Sequence, residues 1–97
     1  VCATHSGHTS LRVARERADA PILSLTPQVS AARRLALAWG VHSLHVPEVT
    51  NIDEIRALAA ELTQREHFAK PGDIYVAIAG IPFGTSGTTN LMHIGVV

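Results

Sequence analysis

Short apolar runs alternate with segments of helical period along all 97 residues, and this alternation limits the fold more than any other feature. Parallel strands need a crossover of a dozen or more residues, commonly a helix, whereas antiparallel neighbours need only a short turn. Most intervals between the apolar runs are long enough for a helix. The last one, from Gly80 to Asn90, is glycine-rich and has no helical pattern. The expected architecture is therefore an α/β three-layer sandwich. Its sheet has about five mostly parallel strands, the last is antiparallel, and helices cover both faces.

Val1 to Thr4 reads as the end of a strand, and the opening valine suggests a piece of a longer chain. A polar loop, Thr4 to Thr9, then leads into a helix with Leu11, Ala14 and Ala18 on its inner face. Ile22 to Leu25 is the next strand. Thr26 is placed to cap a second helix, with Pro27 at its first position and a stripe of Val29, Ala32, Ala36 and Trp39 ending at Gly40. Val41 to Val46 is the third strand. Asn51 and Glu54 form a capping pair for a third helix, whose buried face is Ile55, Leu58, Ala59 and Leu62. Lys70-Pro71-Gly72-Asp73 has the pattern of a type II turn. Ile74 to Ala79 is almost wholly apolar, as a strand covered on both faces should be. Leu91 to Val97 closes the sheet.

Composition narrows the functions. Eight basic and eight acidic residues cancel without any like-charge block, which argues against a nucleic-acid partner or a polybasic membrane patch. No apolar stretch approaches the roughly 20 residues that span a bilayer. A single cysteine, Cys2, cannot form an internal disulfide and fits a cytoplasmic setting; within an apolar strand it reads as inert core.

Two loops carry the candidate chemistry. Thr4 to Thr9 lies between a strand and a helix, where open α/β sheets place ligands and helix N–H groups favour anions. Gly7 permits close backbone approach, while the hydroxyls of Thr4, Ser6 and Thr9 can donate to phosphate, with His5 and His8 beside the anion. An ordinary hydroxyl-rich cap would need no ligand. The second loop contains Gly80, Gly84, Thr85, Ser86, Gly87 and Thr88, a composition suited to an anion-binding lid or to a plain hairpin connection. It lacks the P-loop pattern.

Other residues point elsewhere. His42 and His45 lie three apart on a strand, hence on opposite faces, and cannot share one ion. No metal site and no catalytic residue is assigned: Ser6 lacks a nucleophile elbow, and no paired carboxylates mark an acid–base site. Trp39 reads as packing, and Arg33 with Arg34 as a solvated helix face.

Together these segments resemble the C-terminal domain of pyruvate kinases. Ala3-Thr4-His5-Ser6-Gly7-His8-Thr9 is similar to the family's T-x-S-G-[RK]-[ST] loop. Ala20-Pro21-Ile22 through Thr26-Pro27 resembles its A-P-I-I-A-[VL]-T segment, and Ala32 to Val41 its A-R-x-L-x-L-x-[WR]-G-[VI] run. Lys70-Pro71-Gly72-Asp73 and Gly87-Thr88-Thr89-Asn90 resemble K-x-G-D and S-G-T-T-N. The likeness runs through essentially the whole chain, in order.

The resemblance implies one domain over residues 1–97, without the family's leading helix, catalytic barrel or lid domain. In the parent enzyme the barrel moves a phosphoryl group from phosphoenolpyruvate to ADP with magnesium and potassium, none of them bound by this segment. The hydroxyl loop would bind the phosphate of an allosteric effector, the glycine-rich loop would close over it, and the domain would form one interface of a homotetramer through its last strand. Arg56 is a possible second phosphate contact. His5 and His8 stand where many relatives carry Lys or Arg, and the lid carries no Lys or Arg, so a sugar monophosphate or a nucleoside monophosphate is as fitting an effector as a bisphosphate. The alternatives are an assembly domain with a vestigial anion site and a free-standing phosphate-binding α/β protein.

Overall fold

The computed structural model describes residues 1–16, 19–49, 51–80 and 90–97. Its elements are β1 (Cys2–Ala3), α1 (His8–Arg15), β2 (Ile22–Thr26), α2 (Val29–Leu35), β3 (Val41–His45), α3 (Ile52–Arg65), β4 (Ile74–Ala79) and β5 (Leu91–Val96). The five strands form one sheet in the order β3-β2-β1-β4-β5. β1 pairs in parallel with β2 and β4, β2 with β3 likewise, and β5 runs antiparallel to β4. The short last connection thus has the consequence expected of it.

Alternation along the strands separates the two faces. Leu23 and Leu25 of β2 pack with Leu62 of α3, and Tyr75, Ala77 and Ala79 of β4 pack with Ile55 and Ala59 of the same helix. Complete burial of Ile55 contributes about 1.5–3 kcal/mol. On the other face Cys2, Ile22 and Ala14 of α1 form a smaller cluster. α2 lies on that side too: Ser43 of β3, level with Ser24, donates from Oγ to Ala32 O at 2.7 Å. Helices on both faces make the expected three layers.

α3 starts as its sequence says. Glu54 N–H donates to Asn51 Oδ1 at 2.9 Å, and Asn51 Nδ2 faces Glu54 Oε1 at 3.4 Å. The Lys70–Asp73 turn is also as expected, with Asp73 N–H donating to Lys70 O at 3.0 Å and Gly72 at φ 96°.

Three local expectations are corrected. On α1 the buried residues are Ser10 and Ala14, while Leu11 is 44% exposed; Ala18 lies outside the described residues. Ser10 can face inward because its hydroxyl meets Ser24 Oγ at 2.6 Å. On α2 the buried residues are Ala31 and Leu35, one position away from the expected stripe, and Val29 and Trp39 are half-exposed. Thr26 does not cap that helix: it ends β2, Gln28 occupies the cap position, and the helix stops at Leu35 rather than near Gly40.

β4 is not covered on both faces. Ile74 is 72% and Val76 40% exposed, and Met92, Ile94 and Val96, opposite them on β5, are exposed as well. The eight-residue α1 reaches only as far as Ile78 across this face.

Candidate anion-binding loop

Strand order places the candidate site. From β1 the chain runs outward on one side to β2 and β3, and it returns across the sheet to β4 on the other side of β1. The carboxyl ends of β1 and β4 therefore flank the switch point at which open α/β sheets bind ligands. Thr4 to Gly7 leave β1 there. The parallel register Cys2↔Ile78 brings Gly80 out of β4 at the level where Thr4 leaves β1. Of the expected lid, only Gly80 and Asn90 fall among the described residues; Gly84, Thr85, Ser86, Gly87 and Thr88 lie outside them.

The loop is tied down from within and from α2. Thr4 N–H continues the ladder to Leu25 O at 2.9 Å, and Gly7 N–H donates to Thr4 Oγ1 at 3.0 Å. Thr26 Oγ1 donates to His5 O at 3.0 Å and accepts from Gln28 N–H at 3.2 Å. One hydroxyl thus joins the loop to the start of α2. The His5 ring turns to Gln28, Nε2 to Nε2 at 2.8 Å, and its Nδ1 is buried without a hydrogen-bond partner among the described residues. Arg34 Nη2 donates to Ser6 O at 3.0 Å. Gly7 takes φ 98° as the residue before α1, packed against Leu35.

These contacts place the expected side chains. Thr4, His5, Ser6 and Gly7 are gathered in one turn, and His8 and Thr9 open α1, with His8 exposed. The His5 ring is held in place by its hydrogen bond with Gln28. Arg33 and Arg34 are both exposed, as a solvated helix face should be, and Arg34 in addition donates to the loop at Ser6 O. Arg56 lies on the outer side of α3, 57% exposed and 3.6 Å from Asp53, without a contact to the loop. Thr26, Gln28 and Arg34 were missed as loop supports. Only the return of β2 and α2 beside β1 brings them near it, and no local motif signals that.

His42 and His45 do point to opposite faces. His45 Nε2 lies 3.0 Å from Pro27 O, whereas His42 meets Glu66 at 3.3 Å and the Phe68 ring edge-on. Among the described residues no group of three or more His, Cys, Asp or Glu is arranged to hold a metal ion, and no helix is long and apolar enough to cross a membrane. A groove of about 540 Å3 opens at the far end of the strands, along Val1, Pro21, Ile74 and Val76. Its mainly apolar walls do not suit a phosphate.

Comparison with known proteins settles the lineage of this arrangement. The family model for the pyruvate kinase α/β domain matches residues 1–95. The chain belongs to the pyruvate kinase family. A pyruvate kinase of Methylorubrum extorquens is 45% identical over 94 residues, which is 97% of this chain and 20% of that protein. One of Geobacillus stearothermophilus is 41% identical over 97 residues, all of this chain and 16% of the relative. The chain thus spans a fifth or less of the length of these pyruvate kinases. It corresponds to their C-terminal α/β domain, and its five-stranded sheet is the scaffold on which the loop is mounted.

Proposed function

We propose that this pyruvate kinase domain is a regulatory and subunit-interface module that binds a phosphorylated effector at Thr4, His5, Ser6, Gly7, His8 and Thr9. The observation that carries the reading is the loop's position, at the carboxyl end of β1 beside the switch point and running through a left-handed Gly7 into α1. Amide N–H groups at the start of α1 and the helix dipole attract negative charge there. The Thr4 hydroxyl accepts from Gly7 N–H, so its own hydrogen is the part offered to a ligand. The segment from Gly80 to Thr88 is proposed to close over the effector. A sugar or nucleoside monophosphate is the favoured class, because the loop's own titratable side chains are imidazoles.

On this reading, phosphoryl transfer from phosphoenolpyruvate to ADP, with its magnesium and potassium, belongs to the parent enzyme in the cytoplasm. Among the described residues no group of three or more His, Cys, Asp or Glu accompanies the loop, and those ions are assigned to the rest of the parent enzyme. Effector binding would act by shifting the population of assembled states.

A second role, assembly, is favoured by the open face of β4 and β5. Ile74, Val76, Met92, Ile94 and Val96 form an uncharged exposed stripe that ends at an edge strand, a surface suited to a symmetry mate within a homotetramer.

The deciding experiment is a heteronuclear NMR titration of the chain with inorganic phosphate, ribose 5-phosphate, AMP and fructose 1,6-bisphosphate. Saturable shifts at Ser6, Gly7, His8 and Thr9, followed by residues 84–89, support the effector reading. No shift at millimolar ligand in a folded sample leaves assembly as the domain's role.

A further inference from the structure

We infer that Arg34 is a positioning residue of the anion loop, setting its phosphate affinity by holding the Ser6–Gly7 peptide from α2. The inference rests on the effector reading above and adds a residue outside the loop's own motif.

The argument begins with two successive carbonyls. Thr26 Oγ1 donates to His5 O, and Arg34 Nη2 donates to Ser6 O, each at 3.0 Å. In a trans peptide the carbonyl and the following N–H point in opposite directions. Fixing His5 O and Ser6 O on the β2–α2 side therefore turns the N–H groups of Ser6 and Gly7 to the loop's other side. There Gly7 N–H meets Thr4 Oγ1 at 3.0 Å, which aims the Thr4 hydroxyl. Leu35, next in sequence to Arg34, lies against Gly7 and fixes the height of the same peptide. Consecutive residues of α2 thus hold the turn, one by a hydrogen bond and one by packing.

Among the described side chains hydrogen-bonded to the loop from β2 and α2, Arg34 is the charged one. Thr26 and Gln28 are neutral, and His5 is an imidazole. A guanidinium remains protonated at all relevant pH, and its bond to a carbonyl is charge-assisted. It also polarises the peptide whose N–H points away from it. The adjacent Arg33 supplies an internal control, since it carries the same charge one position along α2 and is exposed as Arg34 is, but has no hydrogen bond to the loop among the described residues.

The test is the affinity of the full chain for inorganic phosphate and ribose 5-phosphate, read from NMR titrations of wild type, Arg34→Ala, Arg34→Lys and Arg33→Ala. Arg34→Ala should weaken binding about tenfold, the scale of one charge-assisted hydrogen bond. Arg33→Ala should stay within about twofold, and Arg34→Lys should recover most of the loss, because a charged donor can still reach Ser6 O. Unchanged amide shifts in β2 and β4 verify that each variant is folded. Equal weakening by both alanine variants would overturn the inference in favour of bulk charge, as would an Arg34→Ala protein that binds like wild type. If wild type itself binds neither anion, the effector reading falls and this inference with it; wild-type binding with no Arg34 effect removes this inference alone.

Discussion

Gly7 and Leu35 touch so closely that a side chain at residue 7 has no ready space. A Cβ on Gly7 would stand 3.3 Å from Leu35 Cγ, Cδ1 and Cδ2, and the backbone there has φ 98°. Gly7→Ala combines a left-handed backbone strain with a contact that Leu35, itself 1% exposed, has little freedom to relieve. The expected loss is about 1–3 kcal/mol in urea unfolding. Phosphate binding should weaken further than stability alone explains, since the strained residue is also the turn that presents the amides.

The buried hydroxyls of Ser10 and Ser24, 2.6 Å apart, form the polar link between α1 and the sheet. Ser10→Ala leaves Ser24 buried with a lost partner, which costs about 1–3 kcal/mol. Replacing both by alanine removes the stranded group along with its partner. The double variant should therefore be destabilised by less than the sum of the two single changes, as a double-mutant cycle of urea midpoints would read. Strict additivity would mean that the two hydroxyls do not depend on each other.

That pair also shows what was hidden in the sequence. The strand and helix order could be read because five apolar runs are separated by intervals of decisive length, three of them with helical period. The face of α1 could not, because a serine that satisfies its hydroxyl on a neighbouring strand looks like a surface residue. Across α2 and the turn after it, the run Ala31-Ala32-Arg33-Arg34-Leu35-Ala36-Leu37-Ala38-Trp39 has apolar residues on every side. Its periodicity does not single out Ala31 and Leu35 over the expected stripe; Leu35 turns inward with Gly7 against it. The loop was legible as strand, glycine, hydroxyls and helix. Its anchors were not: Arg33 and Arg34 are chemically identical neighbours, and the approach of α2 to β1 decides which of them reaches Ser6 O.

Burial pushes the Cys2 thiol above its ordinary value of 9.0, against the opposing pull of the terminal amino group and a hydrogen bond with Ser10. A folded-state pKa raised above the unfolded one gives a contribution to stability that is complete below 9.0 and is lost as pH rises through the folded value. Urea midpoints of wild type should therefore decline more steeply than those of Cys2→Ala between the neutral range and strongly alkaline pH. In native protein near neutrality an aromatic disulfide reagent should label Cys2 far more slowly than in urea, because both access and thiolate are scarce. Equal labelling rates in the two states would contradict the buried placement.

Gly95 lies directly beneath Tyr75, and a Cβ at that position would come within 2.5 Å of Tyr75 Oη. Tyr75 is 8% exposed and forms part of the cluster around Ile55, so it cannot swing aside without opening the core. Gly95→Ala should cost about 1–3 kcal/mol by overpacking. The double change Gly95→Ala with Tyr75→Leu should be less destabilised than the sum of its parts, since the shorter side chain removes the clash. A Gly95→Ala protein as stable as wild type would show that β5 can move away from Tyr75.

On the opposite face of the same two strands the pairs Ile74–Val96, Val76–Ile94 and Ile78–Met92 stand side by side across the ladder. Edge strands usually carry a charge, a proline or a covering element to discourage pairing with another chain. β3, at the other edge, presents exposed His42 and His45, whereas the exposed side chains of β5 are Met92, Ile94 and Val96. Such a stripe should drive self-association of the chain at the concentrations used for NMR. Ile94→Lys puts an ammonium group in the middle of it, where burial against a second copy would require removing that charge from water. Sedimentation velocity should show association weakened at least tenfold, about 1.4 kcal/mol, with the fold intact because residue 94 is 63% exposed in the single chain. A wild-type chain that stays monomeric throughout, or an Ile94→Lys chain that associates equally well, would show that this face does not hold copies of the domain together.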